Sequence, residues 1–425
     1  MADKSPQLGF SYFTEPEYLL AQHLHIWMPM LHKWGGKYVV LQANFDLAIP
    51  EDVFISAQNS GLEPFVHFNV HLPSARAFND ASAMIDIYKK WGVKNIILGD
   101  KPNVKNAWPI ASWHFETLVD KYLDRFIPLA NHAVRIGLNP ILAPLLPGGD
   151  YWDCAFLELL LEGLKQRQMD QLIERLTLAS YGYTFHRPLL WGEGGPERWS
   201  GCKPYQTPEG HQDQIGFNNY EWVQASSQRI IGKRLPVLIL DAGRPSPSLE
   251  SVVDNGAINS IQNLVNAYRM PQTLNPDLLS EVPALNDLVM GCTFGLDTFR
   301  SLLGDEFSIE SLKKVFFGDS FIKVKAVPGS GDVKYLKHYL LLPSYASGVP
   351  DVILNKVRPL IKKYQPTVGF SMDEAAFAAK VSVFPDPFLF PDEIINQLRA
   401  AGCQVEILPD SGIEIATQIQ ESLVE

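Results

Sequence analysis

The sequence predicts a (β/α)8 barrel followed by a small doubly wound α/β module. Strand-like and helix-like segments alternate eight times over the first three hundred residues, the strands are near-continuous apolar runs, and the composition changes near residue 325. Strands buried on both faces belong to parallel sheets wrapped in helices. The 425 residues exceed one average domain and suit a barrel plus a smaller unit, here residues 1–325 and 326–425.

The elements follow in order. Leu8–Phe13 is a short apolar strand, and Glu17–Trp34 has helical spacing. Lys37–Phe45 is the second strand, and Pro50-Glu51-Asp52 opens a helix, proline and acids being favoured in a first turn. Pro64–Val70 is the third strand, Ala75–Trp91 a helix and Asn95–Gly99 the fourth strand. A helix over Phe115–Arg135 stops at Gly137, and Leu138–Leu145 is the fifth strand. Asp153–Leu176 reads as one amphipathic helix, and Leu176–Tyr183 as the sixth strand. A Gly/Pro/Trp-rich loop comes next. The helix Tyr220–Lys233, strand Pro236–Leu240, helix Ala257–Tyr268 and strand Leu288–Phe294 complete the eight units.

All nine tryptophans precede residue 223, and Gly329-Ser330-Gly331-Asp332 reads as a linker. Beyond it, strands His338–Leu342, Thr367–Phe370, Lys380–Phe384 and Gln404–Leu408 alternate with helices Pro350–Tyr364, Asp373–Ala379, Pro391–Ala401 and Ile413–Leu423. No glycine-rich phosphate loop interrupts this stretch, so it reads as a structural or interaction module.

Composition narrows the function classes. The net charge of −11 argues against nucleic acid and anionic membranes, which reward clustered Lys and Arg. No apolar run is long enough to span a bilayer. Cys154, Cys202, Cys292 and Cys403 lie far apart and read as isolated thiols, with neither metal-ligand spacing nor a disulfide framework. His67 and His71, four apart on an extended segment, do not share a face in a way that suits a metal, so neither metal nor cofactor is expected. Met1-Ala2-Asp3-Lys4 lacks the apolar stretch of a secretory signal, which predicts a cytoplasmic location unless a leader has been removed. The oligomeric state is not legible.

Barrel enzymes act at the C-terminal ends of their strands. Strand four ends in Leu98-Gly99-Asp100-Lys101-Pro102-Asn103, and strand seven in Leu240-Asp241-Ala242-Gly243. These two segments resemble the signatures of the clan of retaining TIM-barrel glycoside hydrolases, Gly-Asn-Glu-Pro on the fourth strand and Thr-Glu-Ala-Gly or Thr-Glu-Phe-Gly on the seventh. The order of parts resembles the clan from residue 8 to 316, but only these two short segments are specific. The resemblance implies a saccharide cleft, with the acid/base at the position of Lys101 and the nucleophile at that of Asp241. It further implies sugar contacts from Asn103, from Asp150 and Trp152 after strand five, and from Trp191, Glu193 and Trp199 after strand six. Tyr181 and Tyr183 stand where relatives often place a Tyr or His bonding the nucleophile, with core packing as an equal alternative for either, and Phe294 near a tryptophan platform. Asp100 stands where relatives carry an asparagine touching the sugar. Trp108, on the loop after strand four, joins the aromatic set, since aromatic faces suit the C–H faces of sugars.

The departures bear on chemistry. Double displacement needs two carboxyls roughly 5–5.5 Å apart, one donating a proton while the other attacks. An ammonium is a far weaker acid unless burial or other cations depress its pKa, and an anionic neighbour does the reverse. Schiff-base chemistry at Lys101 would need that same depression, and Asp100 works against it. Aspartate at 241 reaches about 1 Å less far than glutamate, and a misplacement of that size can cost ~100-fold in rate. Two readings remain open. One is an inactive or impaired glycosidase-like barrel, a pseudoenzyme binding an oligosaccharide, a glycoside or a partner, with Lys101 and Asp241 ion-paired across the mouth. The other is a working glycosidase that uses Asp241 with Asp100 or Glu193 as an unconventional acid. Asp153 has a further structural reading as the N-cap of its helix.

Overall fold

The structure is a computed structural model. It describes residues 7–69, 72, 78–108, 113, 118–247, 255–269, 282, 284–304, 307–317, 336–343, 349–370, 375–376, 378–386, 390, 392–409 and 411. The chain divides into two compact units, Met1–Val324 and Lys325–Glu425.

The first unit is a (β/α)8 barrel. Its strands are β1 (Gln7–Ser11), β2 (Tyr38–Ala43), β3 (Glu63–Phe68), β4 (Asn95–Leu98), β5 (Asn139–Leu142), β6 (Leu178–Tyr181), β7 (Val237–Leu240) and β8 (Val289–Gly295). Each pairs in parallel with its neighbours, and β8 pairs with β1. The bridges Ile141↔Thr177 and Leu145↔Ser180 join β5 to β6 and close the ring.

Alternation along the strands separates two cores. Tyr38, Val40, Phe65, Ile97, Ile141, Ala179, Leu238 and Leu240 fill the barrel interior. Val39, Leu41, Val66, Ile96, Leu98, Val237 and Ile239 point outward into the layer shared with the helices. The Tyr38 ring fits inside because β1 and β8 carry glycines beside it. A Cβ on Gly9 would stand 2.2 Å from Tyr38 Cζ, and one on Gly291 2.4 Å from its hydroxyl.

The helix Leu118–Arg135 shows how the outer layer is punctuated. Leu118, Tyr122, Phe126, Leu129 and Ala133 recur at helical spacing and are buried. Gly137 then takes φ +81°, with Gly137 N donating to Val134 O at 3.0 Å and Leu138 N to Ala133 O at 2.8 Å. That paired motif stops the helix and aims the chain into β5.

Several elements differ from expectation. The helix read over Asp153–Leu176 is two, Asp153–Gln166 and Asp170–Arg175. Gln168 takes φ +57°, and Met169 N bonds Leu164 O at 3.0 Å, so a non-glycine residue makes the same stop. Leu20 is extended and separates a short turn, Pro16–Leu19, from the helix Ala21–Lys33. Trp152, not Asp153, is the N-cap residue of the helix after β5. Helices Leu296–Leu303 and Ile309–Phe317 follow β8, where the sequence reading placed none.

The second unit holds β9 (Leu336–Leu341), β10 (Thr367–Gly369), β11 (Ala378–Val383) and β12 (Gln404–Ile407), all parallel, in the order β10-β9-β11-β12. Right-handed crossovers stepping in opposite directions put their helices on opposite faces. Accordingly Val357 and Leu360 of helix Asp351–Tyr364 pack with Leu340 and Leu342. Ile395 and Leu398 of helix Asp392–Ala400 pack on the other face with Tyr339 and Leu341. The module is doubly wound. Ala378 opens β11, two residues short of the end expected for the helix Asp373–Ala379. The Gly329–Asp332 linker and the helix Ile413–Leu423 lie outside the described residues.

Candidate functional site at the barrel mouth

The ends of β4 and β7 carry the same backbone feature. Lys101 has φ +40° and Asp241 φ +49°, left-handed values that cost an L-residue with a side chain about 1 kcal/mol. Phe185 and His186, just past β6, are also left-handed at φ +51° and +58°. Neighbouring hydrogen bonds hold these turns in place. Lys101 N donates to Pro144 O at 2.9 Å, Ala242 N to Thr293 O at 2.8 Å and Gly243 N to Gly182 O at 2.9 Å.

The side chains form two ion pairs on a floor of two stacked tyrosines. Tyr181 and Tyr183, successive inward residues at the end of β6, stack with ring centroids 4.5 Å apart and planes 16° from parallel. The Tyr181 hydroxyl donates to Asp100. Lys101 Nζ lies 3.2 Å from the other Asp100 oxygen and 4.6 Å from the Tyr181 ring centre. Arg244 mirrors this arrangement, 3.3 Å from Asp241 Oδ2 and 5.6 Å from the Tyr183 ring centre.

The expected Lys101–Asp241 ion pair is therefore corrected. Lys101 pairs with its neighbour Asp100, and Asp241 with Arg244 three residues on. The left-handed turns provide the physical reason, since each folds its strand end back upon itself. Arg244 escaped the sequence reading, although its place in the Asp241-Ala242-Gly243-Arg244 turn was a usable signal.

His67 faces this group from β3. Its Nε2 lies 3.1 Å from Gly99 O and 4.0 Å from Asp100. The carbonyl can only accept, so Nε2 carries a proton and the ring is a donor. Burial pushes the His67 pKa down, outweighing the opposing pull of Asp100. Burial likewise raises Tyr181 well above its ordinary value, with the Asp100 charge adding to it, and raises Tyr183 with help from Asp241. Both phenols stay protonated. Asp100 thus has a phenol, an ammonium and an imidazole around it, surroundings that use a carboxylate as acceptor.

The other sequence-predicted residues have different surroundings. Asn103 is fully buried and clamps the loop after β5, donating to Leu146 O at 2.9 Å and Tyr151 O at 3.0 Å while accepting from Leu146 N at 2.9 Å. Trp108 is buried, its indole N–H on Pro102 O at 2.7 Å. Asp150 accepts from Lys105 N at 2.8 Å, and Trp152 is buried beside Tyr205. Phe294 is fully buried in the layer between strands and helices, away from the barrel interior. Gly295 is nearer the chemistry, since a Cβ there would stand 3.0 Å from Asp241 Oδ1.

The loop after β6 is tied down by Asp213, which the sequence reading missed. Asp213 accepts from Arg187, from Trp191 Nε1 at 2.9 Å, from Thr207 Oγ1 at 2.7 Å and from Ile215 N at 3.0 Å. Burial works to raise this carboxyl, but its donors outweigh burial and hold it below the usual range. Glu193 pairs with Arg198 at 2.9 Å, and Trp199 donates to Glu193 O at 2.8 Å. Asp153 is buried among Gly148 N, Gln214 and Asn219, and desolvation raises it despite those bonds. Among the described residues no cluster of three or more His, Cys, Asp or Glu could hold a metal ion, and no helix is long and apolar enough to cross a membrane.

No protein-family model matches the chain, and no curated protein does. Among solved structures the chain is similar to a monomeric β-xylosidase from Caulobacter crescentus CB15, at 13% identity and TM-score 0.42, covering 71% of this chain and 62% of that one. It thus spans less than two thirds of that enzyme. A GH5 cellulase from an Icelandic hot spring isolate is 14% identical with TM-score 0.40, covering 68% of this chain and 75% of that one. A sugar phosphate isomerase/epimerase from Parabacteroides distasonis is 12% identical with TM-score 0.34, over 69% and 87% respectively. Likenesses this distant say nothing of activity; the barrel stands on its own strand pairing.

Proposed function

We propose that the chain is a glycoside-hydrolase-like barrel that binds a saccharide or glycoside at its mouth and is inactive or severely impaired in double displacement. The observation that carries this reading is the environment of Lys101. It stands at the position of the clan's acid/base, holds a left-handed backbone, and is paired with Asp100 rather than facing Asp241. An ammonium bound to a carboxylate is a poor proton donor to a leaving group. Strained backbone retained at two strand ends, both at the face where barrels act, supports a binding role for that face.

A working glycosidase with Asp241 as nucleophile is the second reading. Asp241 favours it, because a partly exposed carboxylate stands at the end of β7. Its acid is the difficulty. Asp100 is engaged by Tyr181 and Lys101, and Glu193 by Arg198.

A panel of aryl glycosides and oligosaccharides, scored for both binding and hydrolysis, separates the two. Binding without turnover is expected. Hydrolysis that disappears in Asp241→Ala would overturn the first reading and establish the second.

A further inference from the structure

At Lys101 the mouth shows its cation outward. Lys101 is 26% exposed while its partner Asp100 is 13% exposed, and Arg244 and Asp241 are nearly equal at 22% and 19%. On the loop after β6, Arg187 is 31% exposed over an Asp213 that is 4% exposed. These exposures set the order in which an approaching ligand meets the charges.

The tyrosine floor carries a second observation. A neutral pyranose commonly rests its C–H face on an open aromatic face. Here Lys101 lies over the Tyr181 ring, Arg244 over Tyr183, and the two rings stack on each other. The ligand meets an ammonium and a guanidinium instead of bare rings.

Donor capacity adds a third. Arg244 spends its Nε on Ser246 O at 2.9 Å, Nη2 on Pro247 O at 2.8 Å and Nη1 on Asp241, which fixes it in place. Lys101 has three N–H donors. Among the described residues its ammonium has one carboxylate partner, Asp100. Asp241, 19% exposed, keeps an oxygen, Oδ1, that borders Gly295 beside the Thr298 hydroxyl.

We propose that the mouth takes an acidic saccharide, a pyranose carrying a carboxylate or sulfate, with Lys101 holding the anionic group and Asp241 accepting from a ring hydroxyl. This rests on the saccharide-binding reading above and specifies its ligand class. Lys101 acts here as a specificity residue. The Lys101–Asp100 pair is neutral as a whole, and its more exposed member, the ammonium, is the charge an approaching anion meets first.

The test is calorimetric titration of the full chain with three oligosaccharides of equal length: an oligogalacturonate, a sulfated galacto-oligosaccharide and their neutral counterpart. At low ionic strength at least one acidic ligand should bind about tenfold or more tightly than the neutral one, as charge-assisted hydrogen bonds exceed neutral ones. Added salt should shrink that preference in the unmodified protein, a result that needs no variant. Lys101→Gln, with its melting temperature checked, should bring the preference to about threefold or less. Whichever acidic ligand binds more tightly distinguishes carboxylate from sulfate. Neutral and acidic ligands binding equally, or a preference that survives Lys101→Gln, would overturn the acidic-ligand inference and leave saccharide binding standing. If none of the three binds, both fail.

Discussion

Two regions of the barrel use the same materials, aspartate, arginine and aromatic rings, for opposite ends. In the loop after β6, Asp213 is buried and accepts from four groups, and Arg187 stacks on Trp191 at 4.4 Å. At the mouth, Lys101–Asp100 and Arg244–Asp241 are partly exposed and rest on two tyrosines, and Lys101 and Asp241 both hold strained backbone. The first arrangement fixes a loop. The second keeps charge at a surface at the expense of local stability. What separates scaffold from site is therefore the number of partners and the burial of the carboxylate, since left-handed residues occur in both regions.

The largest effect should come from the scaffold. Asp213→Ala leaves the Arg187 guanidinium, the Trp191 indole, the Thr207 hydroxyl and the Ile215 amide without their acceptor. We expect a loss of about 3 kcal/mol in denaturant unfolding, with faster amide exchange across residues 187–215. A loss below about 1 kcal/mol would erase the contrast between the two regions.

An intermediate effect is expected at His67. Its folded-state pKa lies below the unfolded value, so the unfolded chain binds the proton first as pH falls. Stability attributable to His67 is complete above about pH 6.5 and declines below it, until the folded-state pKa is reached. As pH falls below about 6.5 the unmodified protein should lose more stability than His67→Gln, measured by unfolding at each pH. Parallel curves for the two proteins would show that His67 is not held neutral.

The smallest stability effect should come from the site itself. Lys101→Gly and Asp241→Gly remove a partly exposed ion pair worth up to about 1 kcal/mol and relieve a backbone cost of similar size. Glycine also adds freedom to the unfolded chain. Net changes within about 1 kcal/mol are expected, alongside weaker binding of the acidic ligand. A drop of 3 kcal/mol in either would make these residues scaffold.

Much of the fold was legible because helix ends and strand burial are written locally. Gly137 marks a stop wherever it falls, and runs such as Asn95-Ile96-Ile97-Leu98 have few ways to be buried. The break at Gln168 was hidden because glutamine rarely takes a left-handed turn, and nothing nearby advertises one. Of the site, the positions of Lys101, Asp241, Tyr181 and Tyr183 could be read from the strand ends. Which charges pair was harder to read, and only Arg244, three residues after Asp241, offered a signal. Two left-handed turns redirect Lys101 onto Asp100 and bring Arg244 onto Asp241, and a torsion angle leaves no mark in the sequence. Asn103 was misleading for the opposite reason. An asparagine at a strand end suits a sugar or a backbone clamp equally, and only its bonds to Leu146 and Tyr151 tell which.

The most direct test is a crystal structure of the protein soaked with an intact oligosaccharide. An uncleaved chain should lie at the mouth beside Lys101 and Arg244, with one polar group within hydrogen-bonding distance of Lys101 Nζ and a hydroxyl on Asp241. A cleaved glycosidic bond, a sugar covalently attached to Asp241, or a ligand bound only elsewhere would contradict it.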